Sequence, residues 1–387
     1  MKICHLITRL ILGGAQENTL LTARGLNRDS DFDVDLVTGP ALGPEGELIG
    51  QAREFGLEPV IIDSLRRAID PPRDIRALLE LRRFFRQNQY DLVHTHSSKA
   101  GILGRWAARE AGVPWIFHTI HGLPFHEYQP RAEYELYRQL ERMAATITHE
   151  IQTVCDRMAE KASHAGLQPI GGFRTVYSGM ELEPFLDVPP ASSEKTVALR
   201  EEWGIREKDF VFGKIARLFH LKGHRYSLKA FARIAERYDS VKLFLVGDGI
   251  LREQLELLCE QLGIRKRVIF AGLVPYQQIP EMLTIMNVLV HTSLREGLAR
   301  VIPQAQAAGR PVISYDIDGA PEAIEQERTG LLVPPKTIQP LVTAMERMLK
   351  DQNLRQTIIN HGRSWVTPRF RWEFMVESVK DSYRALP

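Results

Sequence analysis

Short apolar runs alternate with amphipathic stretches along most of this sequence, and this alternation is the feature that most constrains its fold. In the first half, strand-length runs lie at 3–8, 34–38, 60–63, 92–96 and 115–119, with helical patterns at 16–26, 75–85 and 100–111. Near-continuous apolar strands separated by helices predict a parallel sheet that is covered on both faces. Because such crossovers are right-handed, the predicted class is α/β with a doubly wound sheet.

The same pattern returns in the second half. Strand-length runs lie at 210–215, 243–246, 268–270, 288–291 and 312–315, with helical patterns at 226–238 and 251–262. A chain of 387 residues is too long for one ordinary domain, so two Rossmann-like domains are expected. Prolines and serines within 183–196 have the composition of a linker. We predict domains at 1–183 and 184–368, then a C-terminal helix at 369–387 that can cross back to the first domain.

Composition and charge exclude several classes of protein. The chain is 44% hydrophobic and 25% charged with a net charge of +2, so no strong field indicates nucleic acid as a partner. Its three cysteines, Cys4, Cys155 and Cys259, are far apart and lack CxxC spacing, which favours a reducing compartment over disulfides or structural zinc. Neither a signal peptide nor a transmembrane run is present in the sequence. We expect a cytoplasmic protein.

The sharpest candidate site follows the predicted strand at 288–291. Because ligands of open parallel sheets lie beyond the carboxyl ends of the strands, chemistry is expected in a cleft between the two facing sheets. Glu296 comes directly after the strand and is followed by Gly297, Leu298 and a predicted helix start. Backbone N–H groups at a helix start favour a diphosphate, and the carboxylate can accept hydrogen bonds from sugar hydroxyls. The alternative is a capped helix after a core strand.

Two cations end the first strand of the second half. Arg217 and Lys222 are five residues apart, and Gly223 follows them. An arginine offers a planar fork and a lysine a mobile point charge, so together they can clamp a diphosphate. Standing alone they would be solvated surface cations. Their position before a βα crossover and their partnership with Glu296 favour the clamp.

Glycines and histidines at other strand ends give weaker signals. Gly13 and Gly14 follow the first strand, and Gly249 and Gly272 follow strands of the second half. Each allows close approach of backbone to a ligand, and each equally suits an ordinary turn. His94 and His96 point to one face of a strand, which raises zinc as an alternative. No cysteine or acid cluster completes a ligand set, so zinc is not favoured. Because Arg217, Lys222 and helix dipoles can offset the charge of a diphosphate without a cation, we predict no required metal.

The segments around Arg217 and Glu296 resemble the retaining glycosyltransferases of family 4, which have the GT-B fold. The family signature is a glutamate, seven residues and a second glutamate; Glu296 matches the first, and Gln304 stands at the second. The resemblance implies that Glu296 contacts the donor sugar and that Gln304 holds the ribose. An amide can accept and donate there, but it loses a charge-assisted bond worth about 1 kcal/mol. Arg217 and Lys222 match the cations that neutralise the leaving diphosphate.

The resemblance also implies roles in the first half. The loop at Gly13 and Gly14 would lie over the donor phosphates, and His121 would reach the donor sugar, while His118 would be structural. The implied reaction moves a sugar from a nucleoside diphosphate, by family habit UDP, to a hydroxyl of a glycan or lipid-linked acceptor with retention. No cofactor besides the donor is implied. Cell-surface polysaccharide or glycolipid assembly is the expected process.

Two other functions stay open at this point. A GT-B nucleotide-sugar epimerase would release a changed sugar nucleotide without using an acceptor. A non-catalytic nucleotide-sugar-binding scaffold would bind the donor without turnover, and Gln304 motivates this alternative. The presence of Arg217, Lys222 and Glu296 together favours transfer over both.

A basic stretch at 64–86 suggests a further partner. It carries seven arginines against three acids, and residues 75, 78, 79 and 85 are predicted to form its buried face. A basic amphipathic helix can lie on an anionic bilayer. The equal alternative is a solvated outer helix packed on its own sheet. The first interpretation predicts a protein that is peripheral on the inner face of the membrane.

Overall fold

The computed structural model describes residues 1–42, 46–190 and 192–387. The chain divides into two compact units. The N-terminal unit comprises Met1–Met180 together with Phe370–Pro387, and the C-terminal unit comprises Glu181–Arg369. Each unit is built on one sheet whose paired strands are all parallel.

The N-terminal unit has a seven-stranded sheet between two layers of helices. Its strands are β1 (Lys2–Ile7), β2 (Asp33–Thr38), β3 (Val60–Ile61), β4 (Leu92–His96), β5 (Trp115–Ile120), β6 (Glu150–Thr153) and β7 (Phe173–Thr175). Its first six helices are α1 (Gly14–Asn27), α2 (Ile49–Glu54), α3 (Pro71–Asn88), α4 (Ser98–Ala111), α5 (Arg131–Ala145) and α6 (Asp156–His164). The strand order is β3-β2-β1-β4-β5-β6-β7.

The C-terminal unit has a six-stranded sheet. Its strands are β8 (Phe210–Ile215), β9 (Val241–Val246), β10 (Val268–Gly272), β11 (Val288–His291), β12 (Val312–Tyr315) and β13 (Leu331–Val333). Its helices are α7 (Glu183–Leu186), α8 (Glu194–Glu202), α9 (His224–Ala235), α10 (Arg252–Gln261), α11 (Ile279–Ile285), α12 (Val301–Ala307), α13 (Ala320–Ala323), α14 (Gln339–Lys350) and α15 (Gln352–Phe370). The strand order is β10-β9-β8-β11-β12-β13. The predicted pair of doubly wound parallel sheets is confirmed.

Alternation along the strands explains why both faces of the sheets are covered. In β1, Ile3 and Ile7 belong to one buried cluster, whereas Cys4 and Leu6 belong to another. Successive side chains of a strand point to opposite faces, so one apolar run supplies two cores. This is why the central strands could be read from the sequence as continuous apolar runs.

The last helix of the chain, α16 (Trp372–Arg384), packs in the N-terminal unit. A Cβ atom at Gly25 of α1 would lie 2.6 Å from the Val376 methyl groups, so the two helices require glycine at this position. Two backbone hydrogen bonds hold the start of α16 against Met180. Met180 N donates to Phe370 O at 2.9 Å, and Trp372 N donates to Met180 O at 3.2 Å. The C-terminal segment is therefore part of the first unit's core.

Each sheet has a switch point, where the chain stops adding strands on one side and begins to add them on the other. The chain order reverses between β1 and β4 in the first sheet and between β8 and β11 in the second. At such a point the loops that leave two adjacent strands diverge to opposite faces, which opens a crevice beyond the carboxyl ends. The loops after β8 and β11 carry the predicted cations and the predicted carboxylate.

Three short strands were missed by the sequence analysis. The strands β6, β7 and β13 are three or four residues long, and the first two carry polar and charged residues. They form because the neighbouring strands offer unpaired backbone groups, and tertiary pairing of this kind overrides local propensity.

The basic helix differs from its prediction in start and in buried face. Helix α3 begins at Pro71 rather than at residue 64, because the Asp70 side chain caps it by accepting from Arg73 N. Ala77, Leu81 and Phe85 are its buried residues. Ile75 and Leu79, predicted to be buried, are 59% and 50% exposed. Packing against α4 decides which stripe of the helix is buried, and the sequence pattern alone does not contain that information.

Among the residues described, none of the helices is both long enough and apolar enough to cross a membrane.

A buried ion pair joins α4 and α5. Arg105 Nη2 lies 2.5 Å from Glu141 Oε2, with both side chains almost fully buried. Replacing Glu141 with Leu leaves a guanidinium buried without its carboxylate, so we expect a loss of about 3–5 kcal/mol in the free energy of unfolding, measured by urea denaturation. The double variant Arg105→Met, Glu141→Leu should recover most of that loss. A double variant as unstable as the single one would contradict this account.

The exposed pair Arg53–Glu58, with side chains 61% and 72% exposed, provides the control. Glu58→Leu should hardly change stability, because an exposed ion pair is screened by solvent.

Candidate active site

An ion pair at the switch point of the C-terminal sheet joins the two sharpest sequence signals. Lys222 Nζ lies 2.5 Å from Glu296 Oε1, and the two side chains are 25% and 17% exposed. Lys222 is in the loop that leaves β8, and Glu296 is in the loop that leaves β11. These strands are neighbours, with Val288 of β11 in register with Phe212 of β8. The fold therefore brings together residues that are far apart in the chain.

Backbone contact between the two loops sets this geometry. Leu294 N donates to Leu221 O at 2.8 Å. Gly223 has a φ of 65°, and a Cβ atom there would lie 1.9 Å from Thr292 O. A glycine at 223 therefore meets both a left-handed backbone and a contact that excludes any side chain. The loop can approach Thr292 only because of that residue.

The carboxylate of Glu296 is held in its charged form. Its backbone N–H donates to Asp318 Oδ2 at 2.7 Å. Burial alone would raise the pKa of Glu296, but the neighbouring charges and hydrogen bonds, first among them the charge of Lys222, outweigh burial and lower that pKa to about 2. Glu296 is thus a permanent hydrogen-bond acceptor at physiological pH, not a proton donor.

His291 stands behind Glu296 without forming an ion pair with it. Its Nε2 lies 3.6 Å from Glu296 Oε1. Burial lowers the pKa of His291 to about 3, so the ring is neutral and the contact carries no formal charge attraction. The neighbouring His224 is also neutral, with a pKa lowered to about 3 by burial, and its Nε2 lies 2.9 Å from Arg217 O. That contact fixes the backbone of the arginine loop.

A buried lysine beneath the site was missed by the sequence analysis. Lys214 lies in β8 and is fully buried, and its Nζ donates to Thr292 Oγ1 at 3.0 Å. Burial, assisted by the charge of Lys222, lowers the pKa of Lys214 to about 7. The sequence offered one signal for this residue, namely a lysine inside the apolar strand pattern at 210–215. Asp318 was also missed, yet its carboxylate accepts from the backbone N–H of Glu296.

Arg217 lies directly after β8 with its side chain exposed at the carboxyl edge of the sheet. Its guanidinium carbon lies 4.9 Å from the centre of the Phe219 ring, a cation–π contact. Gly249 follows β9, and a Cβ atom there would lie 2.7 Å from Leu218 O, so this glycine lines the arginine loop. Gly272 ends β10 with a φ of 73° and has open space around its Cβ position.

The helix after Glu296 starts later than predicted. Helix α12 begins at Val301, so the amides next to Glu296 belong to a loop rather than to a helix N-terminus. Gly297 O accepts from Gly319 N at 3.0 Å, and the Leu298 side chain is buried. Pro303 is the third residue of α12, where the N–H that proline lacks would have no partner within the helix.

Gln304 lies on α12 and is 5% exposed. Its Nε2 donates to the Tyr276 hydroxyl at 3.3 Å, and Tyr276 belongs to the segment after β10. This tyrosine was not identified from the sequence. The amide therefore faces the loop that follows β10. In the sheet, β9 and β8 separate β10 from β11, the strand that the Glu296 loop follows.

The predicted residues of the N-terminal unit lie at the carboxyl edge of its own sheet. Gly13 immediately precedes α1, which begins at Gly14, and both follow β1. His121 directly follows β5, and its Nε2 lies 3.1 Å from His96 Nδ1. His118 is buried, with its Nδ1 2.9 Å from Thr95 Oγ1.

A third histidine completes the set that the sequence analysis considered as a zinc alternative. His5, His94 and His96 have ring nitrogens within 4.8 Å of one another. The sequence did not show that His5 joins them, because it comes from β1. The near-parallel stacking of His96 on His94 and on His5, at 20° and 21°, does not direct three lone pairs to one point.

Comparison with known proteins identifies the family. The family model "Glycosyl transferase 4-like domain" matches residues 13–170, and "Glycosyl transferases group 1" matches residues 196–365. A relative from Escherichia coli, UDP-Gal:alpha-D-GlcNAc-diphosphoundecaprenol alpha-1,3-galactosyltransferase, is 30% identical over 391 residues, covering 99% of this chain and 96% of the relative. This chain belongs to the group 1 glycosyltransferases, whose model matches here together with the glycosyltransferase 4-like one. The family 4 resemblance predicted from the Glu296 and Arg217 segments is confirmed, and the enzyme is a glycosyltransferase.

Solved structures give the fold of this glycosyltransferase. Anabaena HepE in complex with UDP-glucose superposes with a TM-score of 0.83 at 21% identity, covering 100% of both chains. Sucrose-phosphate synthase from Thermosynechococcus elongatus superposes with a TM-score of 0.80 at 22% identity, covering 99% of this chain and 98% of the other. The predicted GT-B fold is confirmed.

The buried lysine predicts a pH-dependent stability. The pKa of Lys214 is lowered to about 7 in the folded protein, against 10.5 ordinarily. Between these values the unfolded chain binds more protons than the folded one, so stability rises with pH. The contribution of Lys214 is complete above the ordinary pKa, declines as pH falls and is gone below about 7. Relative to Lys214→Met, the wild type should gain up to about 1.4 kcal/mol per pH unit between about pH 7.5 and 9.5, measured by chemical denaturation.

Lys229→Met, which alters an exposed lysine of α9, is the matched control and should leave the slope unchanged. A stability difference between wild type and Lys214→Met that stays constant over this range would show that Lys214 has an ordinary pKa.

Proposed function

We propose that this glycosyltransferase moves a sugar from a UDP-sugar to a hydroxyl of a lipid-linked or glycan acceptor, with retention at the anomeric carbon. The observation that carries the proposal is the Lys222–Glu296 ion pair at the switch point of the C-terminal sheet. The name of the Escherichia coli relative gives a UDP-galactose donor and a diphosphoundecaprenol acceptor, and HepE has been crystallised with UDP and UDP-glucose. These support a UDP-sugar donor and a lipid-linked acceptor here.

The C-terminal unit is proposed as the donor side and the N-terminal unit as the acceptor side. Lys222 would exchange its carboxylate partner for the donor diphosphate, and Arg217 would add its planar fork from the same loop. Negative charge grows on the diphosphate as the glycosidic bond breaks. Preorganised cations at that place stabilise the transition state more than the ground state.

Glu296 would orient the sugar once Lys222 turns to the diphosphate. Its pKa of about 2 keeps it ionised, so it would accept hydrogen bonds from sugar hydroxyls and would not protonate the leaving group. The proton of the acceptor hydroxyl would then pass to the leaving phosphate in a front-face reaction. His121 would contact a sugar hydroxyl, and the loop at Gly13 and Gly14 would cover the phosphates.

Gln304 would bind the ribose as an amide in place of a carboxylate. Its contact with Tyr276 orients the amide so that the oxygen remains an acceptor. Gly272, Gly249, Gly297 and Leu298 would shape the rest of the nucleotide site through backbone groups. The donor would need no further cofactor, because the two cations offset the diphosphate charge.

We also propose that helix α3 touches an anionic membrane surface. Ile69, Ile75 and Leu79 are 67%, 59% and 50% exposed. Ile75, Leu79 and the exposed Arg83 are spaced four residues apart on one stripe of the helix. Exposed apolar side chains flanked by arginines suit the boundary between headgroups and acyl chains.

Nucleotide binding tests the donor site. Calorimetry with UDP, GDP and ADP should show selective binding of UDP by the wild type. The variant Arg217→Ala, Lys222→Ala should lose about 100-fold or more in affinity, since two charge-assisted contacts disappear. Lys229→Ala, which removes an exposed cation from α9, should bind UDP normally. Glu296→Gln should bind UDP but lose most sugar transfer to a polyprenyl-diphosphate acceptor.

Two results would count against this assignment. One is a folded wild type that binds none of the three nucleotides. The other is Glu296→Gln with wild-type transfer rates, which would remove the carboxylate from the reaction.

Vesicle flotation tests the membrane contact. The wild type should float with vesicles that contain phosphatidylglycerol, and less so as salt rises. Ile75→Ser, Leu79→Ser should reduce the bound fraction several-fold by removing apolar insertion. Ile170→Ser, which alters an isoleucine that is 65% exposed elsewhere in the same unit, is the control. Equal flotation of both variants would argue against α3 as the contact.

A further inference from the structure

A chain of buried hydrogen bonds leads inward from His121. His121 Nε2 lies 3.1 Å from His96 Nδ1, and His96 Nε2 lies 3.0 Å from His5 Nδ1. His5 and His94 stand opposite each other on β1 and β4. Three neighbouring strands, β1, β4 and the end of β5, thus place imidazoles in line beneath the carboxyl edge of the sheet.

The other end of the chain is on the C-terminal helix. The Tyr383 hydroxyl lies 3.3 Å from His5 Nε2 and 2.5 Å from His94 Nδ1. His94 Nε2 lies 2.7 Å from Thr119 Oγ1. Tyr383 is fully buried against the sheet. A helix from the last residues of the chain therefore ends a polar network that begins at a predicted site residue.

All the interior groups of this network are neutral. Burial lowers the pKa of His5 to about 3 and lowers the pKa values of His94 and His96 well below their usual range. Burial also raises the pKa of Tyr383. A neutral imidazole has one N–H donor and one lone-pair acceptor. His5 and His96 use both nitrogens within the chain, so the direction of one hydrogen bond fixes the direction of the next.

We propose that Tyr383, His5 and His96 are positioning residues that hold His121 in one ring orientation and one neutral tautomer. This inference rests on the proposed function, in which His121 contacts the donor sugar. Tyr383 has a single proton, so it donates to one of His5 and His94 and accepts from the other. That choice passes through His5 and His96 and decides whether His121 Nε2 donates or accepts. For a neutral ring it also decides whether Nδ1 carries a proton.

The geometry favours this relay over a metal centre at the same histidines. His94 and His96 stack with centroids 4.6 Å apart, and His5 stacks on His96 at 5.2 Å. The nitrogens of His5, His94 and His96 lie at hydrogen-bond distances from one another, from His121 or from hydroxyl oxygens. Binding one ion would require these rings to rotate away from all of those partners.

Nitrogen NMR on histidine-labelled, ligand-free protein tests the relay. Long-range proton–nitrogen spectra report the tautomer of each ring, and His121→Gln assigns the His121 signal. The wild type should show one predominant neutral tautomer at His121. Tyr383→Phe, three hydrogen bonds away, should shift the tautomer ratio of His121. In a protein that already carries His96→Gln, adding Tyr383→Phe should leave the His121 ratio unchanged. Tyr90→Phe, which removes another buried hydroxyl of the same unit, bonded to Asp35, should leave His121 unchanged.

Binding measurements separate positioning from general structural damage. Tyr383→Phe should bind UDP as the wild type does but bind UDP-sugar about tenfold more weakly, because only the sugar meets His121. Tyr90→Phe should bind both ligands normally. Loss of UDP and UDP-sugar affinity in equal measure would overturn the positioning role.

The two proposals can fail separately. Unchanged His121 signals in both Tyr383→Phe and His96→Gln would overturn the relay, whatever the protein binds. One equivalent of zinc whose removal shifts the signals of His5, His94 and His96 would overturn it too. A wild type that binds no nucleotide would contradict the donor site, while the NMR result would still decide the relay.

Discussion

The approach of Gly223 to the carbonyl of Thr292 is the constraint on which the candidate active site depends. A side chain at 223 would collide with that carbonyl, and the loop after β8 would move away from the loop after β11. Lys222 would then leave Glu296, and Thr292 would lose its bond to Gly223 O. One residue without a side chain thus determines where a cation and a carboxylate meet.

Burial and neighbouring charges determine which side chains of this site are ionised near neutral pH and which of them change charge there. Glu296 stays ionised because a lysine is next to it. His291 and His224 stay neutral because the cost of their burial exceeds the contributions of Glu296 and of the Arg217 carbonyl, which favour the charged rings. Lys214 lies between these cases, with a pKa of about 7. The positive potential at this site therefore includes a part, from Lys214, that depends on pH.

The sequence was informative wherever the chemistry was local. The strands β8, β11 and β12 have the limits that their apolar patterns predict. Lys222 and Glu296, singled out from their places after strands, form an ion pair. Lys214, Asp318 and Tyr276 were missed because their roles come from burial and from partners distant in sequence. The buried face predicted for α3 was wrong for the same reason, because the helix that α3 packs against determines which of its side chains are buried.

The return of α16 to the first unit has a consequence for synthesis on the ribosome. The C-terminal unit is a single continuous segment, so it has all its residues as soon as residue 369 has emerged. The N-terminal unit has to wait for Val376, Val379 and Tyr383, which belong to its core. The unit that is translated first is therefore completed after the second one, and the apolar surface that α16 covers stays exposed until this helix has emerged.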